Sequence, residues 1–412
     1  MILEYHCRNY RSIGEEVTFS LLAGGDDSLE KNTVYDEAVS RKILRSAVLY
    51  GGNGSGKSNF VESLGYLKSL VTNSLLLQPG DLLPFNPHKL LELENTMFKI
   101  HFTRGSNRFL YYVELNRKGI EKEYLYFYPN NRVSKVFERE GEKISIAKQF
   151  LASLASVSRS GLKANRLFLS CAANATNVEA IVEAFKFFNN DLIILDKQEN
   201  WLLYSAKSME NSSETRQSVL NFLRRVGEKD LIGISAKVEE KSLEASQSFD
   251  RRFLETFKPK PSNSSAIQLD YGLFSLDYSE SSEGIKKLIR LLPPFLDMMK
   301  EDRIFFVDEF ESHLHPLLVS SLLGLFQEER GSKAQLVFTT HDTNLLSLET
   351  FRRDQIWFTD MKKNHMSELF SLAEVRAVRK DENIARNYLL GKYRGIPMID
   401  SEKKTTLLED EI

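Results

Sequence analysis

The sequence of 412 residues predicts an α/β protein: a mixed sheet with an antiparallel β meander, plus a mostly helical insertion. Three observations carry that reading. First, the apolar run Ala47-Val48-Leu49-Tyr50 leads into a glycine-rich loop, and Phe60, Leu64 and Leu67 follow at helical spacing. Second, residues 97–102, 109–115 and 124–128 are rich in aromatic and branched side chains. Arg104-Gly105-Ser106-Asn107 and Asn116-Arg117-Lys118-Gly119 punctuate them as turns, which is the pattern of a meander. Third, apolar runs ending at Val307 and Thr339 read as buried strands of a parallel sheet.

The glycine-rich loop is Gly51-Gly52-Asn53-Gly54-Ser55-Gly56-Lys57-Ser58, followed by Asn59. Strand, loop and helix in this order make a phosphate site, because glycines let successive backbone N–H groups point inward at a helix N-terminus. Lys57 is placed to reach the β- and γ-phosphates, and the Ser58 hydroxyl to hold Mg²⁺. Asn53, Gly54, Ser55, Gly56 and Asn59 complete the expected nucleotide contacts.

The remaining elements follow in chain order. Residues 2–8 and 16–21 read as strands joined by a turn at Arg11-Ser12-Ile13-Gly14, and 23–31 reads as a loop. From 146 to 257 the pattern is mostly helical. Val178, Ile181, Val182, Phe185 and Phe188 recur at helical spacing, as do Val219, Leu220, Leu223 and Val226. Residues 258–265 read as a linker, and 401–412 as a charged, frayed tail. The expected division is 1–145 and 266–412 as two parts of one head, with 146–265 as the insertion.

Composition bounds the function. Hydrophobic residues at 42% and charged residues at 27% are ordinary for a globular chain, and a net charge of −2 argues against an overall basic surface. Cys7 and Cys171 offer neither a disulfide framework nor a metal set. No run of 18 apolar residues and no signal-peptide pattern is present. These features lead us to expect a cytoplasmic protein without a membrane span.

A second half of the site lies downstream. Arg303-Ile304-Phe305-Phe306-Val307-Asp308-Glu309 delivers two carboxylates to the C-terminal edge of a strand, where open parallel sheets bind ligands. Asp308 is the expected Mg²⁺ ligand and Glu309 the general base toward the attacking water. His341 ends a further strand, placed to hydrogen-bond the γ-phosphate or that water. Ser282 and Gly284 precede a helix with Ile285, Leu288, Ile289 and Leu292 on one face. A serine N-cap explains the same residues structurally.

In this order of motifs the chain resembles ABC-class ATPases of the SMC/RecF/OLD-like branch. The resemblance implies an ABC-type head that hydrolyses ATP. It also implies a homodimer, or a higher even oligomer, closed around ATP, with Ser282 and Gly284 contacting the nucleotide of the partner protomer. Within the branch it resembles stand-alone RloA/AbiL-type ATPases associated with phage-defence operons. The segments concerned include Asn9-Tyr10-Arg11-Ser12-Ile13, Val136-Phe137-Glu138-Arg139, Asn165-Arg166-Leu167-Phe168-Leu169-Ser170 and Leu314-His315-Pro316. Ile285 stands where relatives carry threonine, and Glu283 where transporter domains carry glycine. Gln78 is the candidate for the glutamine linking nucleotide to the helical lobe, and Ser312 and His313 for partner contacts.

Three functions follow. One is a sensor or scaffold ATPase controlling a separately encoded effector. Only 71 residues follow His341 and they hold no carboxylate cluster, so no nuclease domain is expected. Another is a RecF-like repair ATPase binding duplex DNA through Arg352, Arg353, Arg376, Arg379, Lys380 and Arg386, although interleaved Asp381 and Glu382 favour a solvated face. A transporter subunit fits least, lacking the glycine-rich signature.

Overall fold

A computed structural model describes residues 1–159, 162–195, 201–239, 264–329, 331–376, 378–379 and 382–396. Of the expected linker at 258–265, residues 258–263 lie outside the described residues, as do Lys380, Asp381 and the tail at 401–412, while Ser264 and Ser265 open the strand Ser264–Asp270.

Two sheets form the frame. The first is antiparallel throughout and has seven strands, in the order Lys143–Ile146, Ser134–Glu140, Gly119–Phe127, Asn107–Asn116, Thr96–Arg104, Ile2–Arg8 and Val17–Ser20. The expected meander is its centre, and the two N-terminal strands extend it because Ile2–Arg8 pairs with Thr96–Arg104. Side chains alternate along these strands: Tyr5 and Cys7 are buried, whereas Glu4 and His6 point away from the core.

The second sheet has six strands, ordered Leu192–Leu195, Ile304–Val307, Gln335–Thr339, Ser46–Gly51, Ile356–Met361 and Ser367–Ser371. The first five run parallel and the last is antiparallel. Covered on both faces, its strands divide their side chains between two cores. Ala47, Leu49 and Phe306 join the core shared with the antiparallel sheet, while Val48, Tyr50 and Phe305 join a helical core on the other side. The helix Lys57–Asn73 lies in the first core, where the Phe60 ring meets Phe19 at 5.3 Å and Tyr5 at 5.8 Å. Helices Trp201–Asn211, Ser213–Arg225, Glu283–Lys300 and Pro316–Glu328 supply the second.

The expectation of a mostly helical stretch from 146 to 257 needs correction. Helices Lys148–Arg159, Phe168–Ala175, Glu179–Lys186, Trp201–Asn211 and Ser213–Arg225 are present, with Val219, Leu220 and Leu223 buried as the periodicity predicts. Leu192–Leu195, however, is the edge strand of the parallel sheet, in register with Ile304–Val307. Gly233–Glu239 pairs with Ser264–Asp270 in a separate three-stranded sheet. The segment therefore contributes a strand to the six-stranded sheet as well as helices.

Buried polar contacts explain two segments that carried the resemblance. Arg139 and Glu123 are both buried and lie 3.8 Å apart. Arg139 donates to the carbonyls of Gly141, Lys163 and Arg166, and Glu123 accepts from Phe168 N and Leu169 N at the start of a helix. Asn165 and Arg166 in turn donate to the carbonyls of Gln78, Asp81 and Leu77. This network joins the meander to the chain that follows the helix Lys57–Asn73.

Candidate functional site: a phosphate loop at the edge of the parallel sheet

The central strand Ser46–Gly51 turns at its C-terminal end into the glycine loop. Gly54 has φ +78° and Gly56 φ +109°, a region in which a side chain is strained. A Cβ on Gly56 would collide with Ser367 Oγ and lie 2.8 Å from Ser367 Cβ. A Cβ on Gly51 would sit 2.5 Å from Ser55 Oγ and 2.7 Å from Thr359 O. The loop is thus held against the next two strands, and Ser55 Oγ bonds Thr359 Oγ1 at 2.6 Å. Asn53 and Gly54 are exposed at its tip; Ser55 and Lys57 are buried.

Lys57 turns back over the loop, where Nζ donates to Gly51 O at 2.7 Å and Gly52 O at 3.1 Å. The helix behind it starts at Gly56 with no side-chain cap, which leaves its first-turn N–H groups to an anion. Asn59 Nδ2 donates to Ser12 Oγ at 2.7 Å, and Ser12 Oγ bonds Ser367 Oγ at 2.7 Å. Arg11 ion-pairs with Glu62 on the same helix. Asn59 is accordingly a bracket between the helix and the turn at Arg11 and Ser12. A phosphate chain fits this loop, given its uncapped helix, its glycines and its inward ammonium.

The carboxylates lie two strands away. Ile304–Val307 neighbours Gln335–Thr339, which neighbours Ser46–Gly51, so Asp308, Thr340 and the phosphate loop all follow strand ends at the same edge. Asp308 is buried and its Oδ1 accepts from Thr339 Oγ1 at 2.7 Å. Glu309 has φ +51°, and its N–H donates to the same Thr339 Oγ1 at 2.8 Å. His341 follows on an exposed loop, with its N–H donating to Glu311 Oε1 at 2.6 Å. Desolvation, then the charge of Lys57, holds the His341 imidazole below its ordinary range, with Glu311, Glu309 and Asp308 opposing. The imidazole and Lys57 therefore share one electrostatic neighbourhood with the three carboxylates. The donor set of Ser58 hydroxyl and Asp308 carboxylate suits a hard divalent cation such as Mg²⁺.

Ser282 is exposed and caps the helix Glu283–Lys300, accepting from Ile285 N at 3.4 Å. The N-cap reading is thus satisfied, and the hydroxyl still faces outward. A Cβ on Gly284 would lie 3.1 Å from His313 O, so this glycine permits close approach of the loop after Asp308 and Glu309. His313 is exposed with φ +61°, and Ser312 is half-buried. The Gln78 side chain is exposed and makes no hydrogen bond to the described residues; only its backbone is bonded, to Asp81 and Asn165.

Three residues of the site escaped sequence reasoning. Thr339 ties Asp308 to Glu309. Glu311 bonds the His341 backbone and keeps Oε2 buried without a hydrogen-bond partner. Lys287 lies buried one turn into the helix Glu283–Lys300 and donates to Glu309 O at 3.1 Å and Ser312 Oγ at 3.0 Å. Burial, then Arg290, lowers its ammonium to about 8. A lysine standing directly before Leu288 offers no signal of burial by itself.

The basic groups considered for DNA need a correction. Arg352 is 2% exposed, pairs with Asp354 at 2.8 Å and donates to Ser28 O and Gly24 O, so it cannot meet a phosphate backbone. Arg353 donates to Val378 O. Arg376, Arg379 and Arg386 remain exposed.

The sequence matches a family described as "AAA domain, putative AbiEii toxin, Type IV TA system" over residues 46–168 and 213–347, more than half of the chain. The chain belongs to this family. Both matched blocks carry the site: the first holds the phosphate loop, and the second holds Ser282, Asp308, Glu309 and His341. No curated protein matches the chain. Among solved structures it is similar to the SMC head domain from Thermotoga maritima, at 12% identity and TM-score 0.39, covering 90% of this chain and 98% of that one. The Smc head with coiled coil and joint from Pyrococcus yayanosii gives 12% identity, TM-score 0.42, and coverage of 95% and 99%. The Pyrococcus furiosus Smc head bound to the C-terminal domain of ScpA gives 13%, 0.39, and coverage of 90% and 96%. Among the described residues no helix is long and apolar enough to cross a membrane.

Proposed function

We propose that this family member binds ATP with Mg²⁺, hydrolyses it to ADP and phosphate, and closes as a dimer around the nucleotide. In that state it acts as a sensor or scaffold for a separately encoded effector, a nuclease or toxin, in antiphage defence. The observation that carries the enzymatic part is the convergence of three adjacent strand ends: the phosphate loop, Asp308 with Glu309, and the His341 loop. ATP in preference to GTP, and the nearness to RloA/AbiL-type ATPases, rest on the resemblance.

In this reading Lys57 leaves the loop carbonyls to meet the terminal phosphates, and the Ser58 hydroxyl and Asp308 carboxylate hold Mg²⁺. The bound ion neutralises phosphate charge. Glu309 takes the proton of the attacking water, held in place by the Thr339 hydroxyl at its backbone N–H and by Lys287 at its carbonyl. His341, held below its ordinary range by burial and by the charge of Lys57, offers a hydrogen bond toward the same water. Ser282, outward on an exposed helix start, serves the nucleotide of a partner protomer, with Gly284, Ser312 and His313 at the same face.

The effector is tested by tagging Glu309→Gln and purifying it from its host with ATP and Mg²⁺, with and without DNase. A stoichiometric protein that survives DNase and leaves in nucleotide-free buffer is the expected result. DNA recovered without a steady protein partner replaces this reading with direct DNA binding.

A further inference from the structure

The outer face of the seven-stranded sheet carries a constellation unrelated to the phosphate loop. Glu4 and His6 are two residues apart on Ile2–Arg8, so both point away from the core. The register places Glu4 directly opposite His101 on Thr96–Arg104, with His6 opposite Lys99 and diagonal to His101. One ligand atom each of Glu4, His6 and His101 lies within 4.8 Å of the others. We infer that these three residues form a binding site for a first-row divalent transition metal such as Zn²⁺, linking the first strand to the meander.

The surroundings of His6 are those of a ligating histidine. Nδ1 of His6 is engaged by Glu16 Oε1 at 3.1 Å and by Thr18 Oγ1 at 3.0 Å, both on the neighbouring chain segment at 16–20. Nδ1 of His101 lies 3.5 Å from Arg108 Nη2. The Glu16 carboxylate and the Thr18 hydroxyl orient the His6 ring and leave its Nε2 to an ion. At His101 the guanidinium can only donate, so Nδ1 keeps the lone pair, and an ion takes it in place of the long Arg108 contact. No hydrogen bond or ion pair among the described residues engages the Glu4 carboxylate, so it is available as the third ligand. His6 is only 12% exposed, a setting in which its orientation is held by neighbours.

Chemistry selects the metal class. Two imidazoles and one carboxylate suit Zn²⁺, Co²⁺ or Ni²⁺ and are a poor set for Mg²⁺ or Ca²⁺, which take oxygen ligands. Neighbouring ligand atoms around a tetrahedral Zn²⁺ stand roughly 3.4 Å apart, so binding draws the three ligand atoms closer than the 4.8 Å within which they now lie. Lys99 opposes the ion by charge, and its ammonium is drawn toward Glu16 at 3.9 Å. Three protein ligands leave one position for water. The ion would bridge adjacent strands on the face opposite the core, and its occupancy is independent of the ATP reading.

The test is equilibrium dialysis of the full chain, free of any polyhistidine tag, against ZnCl₂ without nucleotide or Mg²⁺, with bound zinc counted by mass spectrometry. The wild type and Lys57→Ala should each hold one Zn²⁺ per chain. Glu4→Gln and His101→Gln should lose it, and Glu16→Gln, which acts through His6, should bind about 10–100-fold more weakly. Zn²⁺ should raise the melting temperature of the wild type and leave that of Glu4→Gln unchanged. Glu4 makes no described hydrogen bond, so this variant keeps its fold if His101→Gln does not. Less than one zinc per wild-type chain, or equal uptake by wild type and Glu4→Gln, overturns the assignment.

Discussion

Lys287→Met probes how the helix behind Ser282 is tied to Glu309. The buried ammonium donates to Glu309 O and Ser312 Oγ. Its folded value of about 8 lies below the ordinary lysine value of 10.5. Between those values the unfolded chain binds more protons than the folded one, so the lysine's contribution to stability rises with pH across this window. Below it, the cost of keeping the ammonium charged is fully present, on the order of 3 kcal/mol. The stability difference, wild type minus Lys287→Met, should therefore grow in favour of the wild type by about 2–3 kcal/mol from about pH 7 to about pH 10. Urea titrations of both proteins at both pH values read this difference, and other groups cancel in it. Methionine fills similar volume but leaves Glu309 O without its donor, so kcat for ATP should fall about 10–100-fold, or about 1.4–2.7 kcal/mol. ATP affinity, set at the phosphate loop, should stay the same. A stability difference flat with pH would refute the buried ammonium, and an unchanged kcat would refute its positioning of Glu309.

Other expectations follow from single contacts. Gly56→Ala combines a left-handed backbone with a collision against Ser367, and should abolish nucleotide binding measured by fluorescent ATP titration. Arg139→Met leaves the Glu123 carboxyl, already pushed up by burial, without its cation, and should cost about 3–5 kcal/mol in chemical denaturation. Ser282→Arg should keep ATP binding and lose ATP-dependent dimerisation by light scattering, whereas Ser282→Ala should cost only about 1 kcal/mol of stability through the lost cap.

The phosphate loop was legible because the glycine pattern is local, with a positive φ at Gly54 and Gly56, even though the Cβ that Gly56 must lack would meet Ser367 on a distant strand. The strand ends before Asp308 and His341 were legible for a related reason, since short apolar runs that end in a polar residue mark strand ends. Leu192–Leu195 was not. Four apolar residues between a helix and a polar stretch show no alternation when both faces are buried, so periodicity cannot separate them from a helical turn. Arg352 and Lys287 share a different difficulty. Each is a charged residue whose burial depends on partners that are distant in sequence, Ser28 and Gly24 for the one and Glu309 and Ser312 for the other. Glu4, His6 and His101 came together only through strand register, which depends on pairing between segments about a hundred residues apart.

The central claim is that this chain closes as a dimer around ATP and that Glu309 drives hydrolysis. Purified Glu309→Gln with ATP and Mg²⁺, followed by light scattering with a nucleotide count, tests it most directly. The account predicts a doubling of mass on adding ATP, two unhydrolysed nucleotides per dimer, and loss of both in Lys57→Ala. Wild-type turnover by Glu309→Gln, or a mass indifferent to ATP, would contradict it.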